Sequence, residues 1–99
     1  MNDSSTLTVP ARLWQNGGIL PGAFCVSPAG VSFLSPSGAP LLDGGELPLS
    51  ALETALPYNT FLLIPNGLTL HLKDGSTIQL TLDRRREVLT LLRRLKPGL

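Results

Sequence analysis

The chain has 99 residues, of which 42% are apolar and 15% are charged, and its formal net charge is +1. This composition predicts one globular domain and excludes a disordered chain, and so small a net charge disfavours nucleic-acid binding. The single cysteine, Cys25, excludes an internal disulfide, so we expect a cytoplasmic location. Residues 1–5 are expected to form a disordered polar tail and residues 6–99 a single domain. The first residues lack the pattern of a signal peptide, and no apolar run is long enough to span a membrane.

The first half of the chain is predicted to form short strands separated by turns that contain Gly and Pro. Apolar and polar residues alternate over residues 7–14, which predicts a strand, and Pro10 favours a position at a sheet edge. Residues 23–27 and 31–35 are predicted to pair as a hairpin. A further short strand is suggested at Leu41-Leu42.

Residues 47–56 fit two structures. Leu47-Pro48-Leu49 is typical of the start of a strand, whereas Ser50 followed by Glu53 three residues later is typical of a helix N-terminus. We favour a strand that is interrupted by a turn, and Pro57-Tyr58-Asn59 is predicted to end it.

The next segment predicts three strands joined by two tight turns. Asn66-Gly67 is typical of a two-residue hairpin loop, which would join a strand at 61–64 to a strand at 68–72. Side-chain parity then predicts a three-residue loop, 73–75, with Gly75 left-handed, because a shorter loop would turn the apolar residues of strand 78–82 away from the core. The expected inner face contains Phe61, Leu63, Leu68, Leu70, Leu72, Ile78, Leu80 and Leu82, and the opposite face carries Leu62, Ile64, Thr69 and His71.

The last element is predicted to be an amphipathic helix. Asp83 is a candidate N-cap for a helix over residues 84–95, and Pro97-Gly98 is typical of the end of a helix. At about 100° per residue, the apolar side chains cover one broad face and the arginines cover the other. The apolar set consists of Val88, Leu89, Leu91, Leu92 and Leu95.

The order of these parts resembles the PH-like superfamily and, within it, the GRAM-type and bacterial PH-like domains. Pro21-Gly-Ala-Phe-Cys-Val-Ser-Pro-Ala-Gly-Val-Ser-Phe-Leu34 is similar to the opening hairpin of that superfamily, and Leu47-Pro-Leu-Ser-Ala-Leu52 to its "isoleucine-proline-leucine" strand. Residues 68–82, with the Asp74-Gly75 turn, are similar to its paired late strands. Residues 83–95 are similar to its closing helix.

The resemblance implies a mainly β fold, in which a partly open antiparallel barrel of about seven strands is closed by one C-terminal helix. It also implies a module that binds phosphoinositides, other lipids or protein, and that is not an enzyme. In one respect the sequence departs from the family. Members that bind inositol phosphates carry several Lys and Arg residues on the first two strands, whereas residues 7–27 contain only Arg12, which disfavours classical headgroup binding.

Two candidate sites follow from the sequence. Arg85, Arg86, Arg93 and Arg94 are predicted to form an anion- or partner-binding stripe on the last helix, and the alternative is simple solvation or pairing with Glu46, Glu53 or Glu87. Leu62 and Ile64 are predicted to form an apolar interface for a protein partner or a homo-oligomer, and the alternative is that the chain itself covers them.

No catalytic or metal-binding pattern is expected. His71 is a lone histidine without a cysteine or carboxylate at ligand spacing, Cys25 has no evident base beside it, and Trp14 is interpreted as core or rim packing. We therefore predict a non-catalytic protein-binding module without a cofactor. Peripheral binding of acidic lipid through the arginine-rich helix is the alternative function.

Overall fold

A computed structural model describes residues 6–15, 17–37, 45–60 and 64–99. Leu41, Leu42 and the tail at 1–5 lie outside the described residues. All the strand pairs are antiparallel, and the sheet order is β4-β3-β2-β1-β7-β6-β5, so β4 and β5 form its two edges. The described residues form strands β1 (Leu7–Gln15), β2 (Gly18–Ser27), β3 (Gly30–Leu34), β4 (Glu46–Leu47), β5 (Leu52–Thr60), β6 (Ile64–Leu72) and β7 (Thr77–Leu82), and helix α1 (Arg85–Leu95).

The core lies between the inner face of the sheet and the apolar face of α1. Alternate residues of the strands point inward, and the five apolar residues predicted for the helix face are buried or packed against the core. The predicted inner face is confirmed where the structure describes it, since Leu72 and Ile78 are half-buried and the others are buried; Phe61 and Leu63 lie outside the described residues. The fully buried large side chains include Phe24, Phe33, Leu52, Leu68, Leu70, Leu80 and Leu92.

Pro10 lies in a central strand, so the prediction of an edge strand was wrong. β1 pairs with β2 along its whole length and with β7 over residues 11–14. The carbonyl of Pro10 accepts a hydrogen bond of 3.2 Å from the backbone N of Asp83, just beyond the end of β7. Because the nitrogen and carbonyl of one strand residue point the same way, the nitrogen of Pro10 faces Asp83, so the one hydrogen bond that proline cannot donate lies at the very end of the β1–β7 pair.

The ambiguous stretch at 47–56 is a strand interrupted by a turn, as favoured. A 3₁₀ turn, Leu49–Ala51, separates β4 from β5. The predicted end of the strand at Pro57-Tyr58-Asn59 was wrong, because β5 continues to Thr60. Pro57 is compatible with this because β5 is an edge strand.

The predicted hairpin turn at Asn66-Gly67 was also wrong. Both residues lie inside β6, where Gly67 pairs with Tyr58 of β5 and with Thr81 of β7. Gly67 is needed for space and not for a turn, because a Cβ atom there would lie 2.4 Å from a ring carbon of Tyr58. The hairpin connects Thr60 to Ile64 instead, which pair with each other.

The second turn is confirmed as a three-residue loop. Leu70 pairs with Ile78 and Leu68 with Leu80, in the register that side-chain parity requires. Gly75 has a φ of +92°, the left-handed conformation expected of it.

Asp83 is not the N-cap of the helix, so that prediction was wrong. Its backbone N still bonds to Pro10, so Asp83 belongs to the end of the sheet, and the chain turns one residue later. Arg84 takes the cap position in the left-handed conformation, with φ 57° and ψ 38°. Its guanidinium donates to Glu87, with 3.0 Å between Nε and Oε1, which holds this turn against the first turn of α1.

Candidate interaction surfaces

The N-terminal arginine of α1 is bonded to the sheet. Nη1 of Arg85 donates to the carbonyl oxygens of Tyr58 at 2.7 Å and of Gly67 at 3.3 Å. It also lies 3.4 Å from Oδ1 of Asn59. These bonds fix the start of α1 over the paired ends of β5 and β6.

The C-terminal half of α1 is tied to the same edge strand. Nη2 of Arg93 donates to the carbonyl oxygen of Ala55 at 3.3 Å. Nζ of Lys96 donates to the carbonyl oxygen of Leu49 at 2.9 Å and to that of Leu52. Sequence reasoning did not single out Lys96, because its acceptors are backbone oxygens more than 40 residues away. Together these cations satisfy carbonyl groups along β5 and the turn before it.

Arg86 and Arg94 lie on the other side of the helix. They line a groove of about 360 Å³ between α1 and the start of β1, whose other lining residues are Thr6, Leu7, Glu87, Thr90 and Leu91. No hydrogen bond or ion pair within the described residues involves the side chain of Arg86. The hydrogen bond from Arg84 lowers the pKa of Glu87, so this groove also holds a carboxylate that stays charged.

The structure thus divides the four predicted arginines into two pairs. Arg86 and Arg94 share the groove, whereas Arg85 and Arg93 point toward β5. Of the three carboxylates considered as internal partners, only Glu87 forms an ion pair within the described part of the chain, and its partner is Arg84.

Of the two residues predicted to form an apolar interface, the structure describes one. Ile64 is 48% exposed at the start of β6, beside its strand partner Thr60. Leu62 lies outside the described residues.

A second set of exposed apolar side chains crosses the outer face of the sheet. Trp14 is 44% exposed, Ile19 48% and Leu56 49%. Trp14 pairs with Ile19 on one side and with Gln79 on the other, Gln79 pairs with Thr69, and Thr69 pairs with Leu56. We call this line of five cross-strand neighbours, Ile19, Trp14, Gln79, Thr69 and Leu56, the outer row.

The outer row was missed by sequence reasoning, although part of its signal was present. The alternation that places Leu13 in the core places Trp14 on the opposite face. Leu56 carried no such signal, because its strand was predicted to end at the next residue. Only the register across five strands brings these side chains into one line.

Tyr58 covers the part of the outer face next to the outer row. Its ring lies over Gly67, and its hydroxyl donates to the carbonyl oxygen of Leu80 at 3.3 Å. Burial raises the pKa of Tyr58 above its ordinary value of 10.0, since the charged phenolate would be poorly solvated there. Tyr58 is thus a fixed part of the surface.

The described residues hold no group of three or more side chains suited to bind a metal ion. Cys25 and His71 are half-buried on different strands, β2 and β6. In the described part of the chain, no helix is long and apolar enough to cross a membrane.

No protein-family model and no curated protein matches this chain, but solved structures do match it. The C-terminal domain of an unknown protein from Leishmania infantum superposes with a TM-score of 0.74 at 13% identity, covering 90% of this chain and 80% of that chain. The Slm1 PH domain, solved in complex with phosphoserine, gives 0.65 at 14% identity, covering 91% and 90%. The PH domain of human oxysterol binding protein-related protein 11 gives 0.64 at 14% identity, covering 92% and 77%.

At identities this low, the likeness concerns the fold alone. The chain has a PH-like fold, in which a seven-stranded antiparallel open sheet is accompanied by one C-terminal helix. This confirms the fold that the sequence resemblance implied.

Proposed function

We propose that this chain is a non-catalytic, GRAM-type module that binds protein, either a second copy of itself or another chain, in the cytoplasm. The observation that carries the proposal is the exposure of four large apolar side chains, Trp14, Ile19, Leu56 and Ile64, each close to half accessible. Such side chains supply most of the free energy of association when a partner covers them. The proposed function needs neither metal nor cofactor.

In this proposal residues 6–99 act as one domain and the helix arginines contribute in two ways. Arg85 and Arg93 hold α1 against β5 through backbone oxygens, which keeps the scaffold rigid. Arg86 and Arg94 line the groove and would steer the approach of an acidic partner, because exposed charges outside the buried contact raise the rate of encounter. Leu62 stays part of the proposed apolar interface beside Ile64.

A second candidate function, peripheral binding of an acidic lipid surface, is favoured by one observation. Arg86 is exposed and has no partner within the described residues, and it shares a groove with Arg94. A pair of cations on one exposed helix side attracts anionic headgroups by about 1 kcal/mol each near the membrane surface. Glu87 lines the same groove, and its negative charge disfavours the binding of an acidic lipid there.

Co-sedimentation with lipid vesicles separates the two functions. Purified protein is mixed with phosphatidylcholine vesicles and with vesicles that also contain phosphatidylserine, each at low and high salt. The protein-binding function predicts no binding to either. The lipid function would replace the protein-binding function if the protein bound only the acidic vesicles. That binding should be abolished by high salt and by Arg86→Glu, and it should be kept in Arg12→Glu.

A direct test of protein binding uses a photo-crosslinking amino acid at Leu56 and, as a control, at Ala29 in the turn between β2 and β3. Both positions are exposed. The proposed function predicts a discrete protein adduct from position 56 that position 29 does not give. Identical adduct patterns from the two positions would contradict docking on the sheet.

A further inference from the structure

A cleft on the outer face of the sheet contains two charged side chains of opposite sign. It has a volume of about 240 Å³ and lies where β1 and β2 meet the end of β7. We call it the Arg12–Asp83 cleft. It shares no lining residue with the outer row or with the groove beside α1. The lining residues that bear on its chemistry are Pro10, Arg12, Pro21, Asn66, Thr81 and Asp83.

The register of β1 against β7 explains why these two charges share a cleft. Arg12 is the strand partner of Thr81, and the carbonyl oxygen of Pro10 accepts a hydrogen bond from the backbone N of Asp83. Arg12 and Asp83 are therefore diagonal neighbours across the two strands, a relation that separates Cα atoms by about 7–8 Å. Long side chains can reach across this distance, but these two form no ion pair with each other.

Both charges also lack any other partner. Neither Arg12 nor Asp83 forms an ion pair or a side-chain hydrogen bond with a residue that the structure describes. Both side chains are exposed. The cleft therefore offers a guanidinium to an anion and, beside it, a carboxylate to a cation.

The hydroxyl of Thr81 is an independent sign that the cleft binds a polar ligand. Thr81 is only 8% exposed, yet its hydroxyl makes no hydrogen bond within the described part of the chain, whereas buried hydroxyls usually have a partner. Among the described residues no unpartnered side-chain N or O atom is sealed from solvent, so this hydroxyl opens into the cleft. Asn66 adds donors, because its Oδ1 accepts a hydrogen bond from Thr60 and its N–H groups bond to no described residue.

We propose that the Arg12–Asp83 cleft binds a free α-amino acid. The guanidinium of Arg12 binds the carboxylate of the ligand, and the carboxylate of Asp83 binds its ammonium group. The hydroxyl of Thr81, the strand partner of Arg12, donates to the ligand carboxylate. A ligand with one charge satisfies only one of the two charged groups, whereas a zwitterion satisfies both. This small-molecule site goes beyond the proposed protein binding and does not depend on it.

The surroundings of the cleft favour a small ligand with an apolar side chain. The volume of the cleft lies below the range of about 300–1,000 Å³ that is typical of pockets for drug-sized ligands. Pro10, Pro21 and Gly22 also border a second groove, of about 490 Å³, and no charged residue is among the described residues that line it. An apolar side chain can therefore extend from the cleft across the two prolines, and L-leucine is a suitable probe.

Three probes that differ only in charge test the pairing of both groups. The full chain is titrated to about 20 mM with L-leucine, N-acetyl-L-leucine or L-leucinamide, and the backbone amides of Arg12, Thr81 and Asp83 are followed by ¹H–¹⁵N NMR. N-acetyl-L-leucine lacks the ammonium group, and L-leucinamide lacks the carboxylate. The proposal predicts saturable shifts of these amides with L-leucine, and binding that is about tenfold weaker or more for each of the other probes.

Substitution of each charged residue should change the preference among the probes in its own way. Arg12→Gln and Asp83→Asn should each weaken L-leucine binding about tenfold or more. In Arg12→Gln the preference for L-leucine over L-leucinamide should be lost, and in Asp83→Asn the preference over N-acetyl-L-leucine should be lost. A residue that only supports the fold would not produce this split. Arg86→Gln is the matched control, an exposed arginine outside the cleft, and it should bind like the parent chain.

Thermal melting of each variant shows whether the fold is kept. The absence of shifts in the cleft amides at the highest L-leucine concentration would overturn the proposal. Equal binding of the three probes would do so too, because the two charges would then play no part in recognition. A loss in Arg86→Gln as large as that in the cleft variants would likewise place the binding elsewhere. The proposed protein binding stands or falls separately, by the adducts from position 56.

Discussion

Gly67 and Tyr58 show how one residue without a side chain shapes the surface of this sheet. Gly67 leaves a gap on the outer face of β6, and the ring of its strand partner Tyr58 fills it. The ring covers backbone that would otherwise be open to water, and its hydroxyl reaches across to the carbonyl oxygen of Leu80 on β7. Aromatic side chains compensate strand glycines in this way.

Gly67→Ala should displace the ring of Tyr58. An added Cβ would lie 2.4–2.5 Å from three ring atoms, a distance that no real contact tolerates. We expect a loss of about 1–3 kcal/mol in the free energy of unfolding, measured by urea denaturation. In combination with Tyr58→Ala the loss should be less than additive, because the clash is then gone. Additive losses would contradict the contact.

The titration of Tyr58 should report the same contact. The chain has one tyrosine, so the absorbance of its phenolate is unambiguous. Folding raises the pKa of Tyr58 above 10.0 by burial, so the stability it contributes is present below pH 10 and is lost as the pH rises through the folded-state pKa. A spectrophotometric titration should give a higher pKa in the folded chain than in urea. Gly67→Ala should remove most of the difference, and equal values in the folded parent and in urea would contradict the burial.

At the scale of elements, α1 does two things at once. Its apolar face completes the core, and three cationic side chains on one flank donate to carbonyl groups of β5, of the turn before it and of Gly67 in β6. An edge strand is paired on one side only, so bonds to another element help to hold it in place. The helix therefore anchors β5 and completes the core.

Removal of these hydrogen bonds should loosen β5. Arg93→Ala and Lys96→Ala should each lower the free energy of local opening by about 1 kcal/mol, the usual net contribution of one such hydrogen bond. Native-state hydrogen exchange would show it as faster exchange of β5 amides at unchanged rates in β7. Arg86→Ala is the control, because Arg86 makes no bond to the strand. Equal effects of all three variants would contradict the assignment.

The elements differ in how far the sequence predicts them. The loop at 73–75 was predicted well, because only one strand register keeps the apolar residues on the inner face. The apolar face of α1 was predicted well, because the helical period places its apolar residues on one side. The turn at Asn66-Gly67 and the end of a strand at Pro57 were predicted from residue types alone. Both failed because tertiary context overrides local preference. Gly67 makes room for a ring, and Pro57 lies on an edge strand.

The candidate site was less predictable than the fold. The arginines of α1 were found by sequence, but their division between β5 and the groove depends on which carbonyl groups the fold brings near them. The outer row depends on the register of four strand pairs, and a single sequence does not contain that register. Trp14 could have been placed on the outer face by parity, and Leu56 could not.

At the scale of the whole molecule, the protein is a rigid scaffold with two different surfaces. The outer row is uncharged and carries three exposed apolar side chains, and the groove beside α1 carries Arg86 and Arg94. A partner on the first surface would leave the second accessible, because the groove lies between α1 and the start of β1.

The most direct measurement is a dilution series followed by two-dimensional ¹H–¹⁵N NMR. The chain has one tryptophan, so the indole N–H of Trp14 gives a single resolved signal from the outer row. We expect concentration-dependent shifts of that signal, of the Gln79 side-chain amide and of the backbone amides of Ile19, Leu56 and Ile64. The signals of the buried face of α1 should stay constant. Signals that do not move between the lowest and highest concentrations, or shifts confined to α1, would contradict self-binding through the exposed apolar side chains.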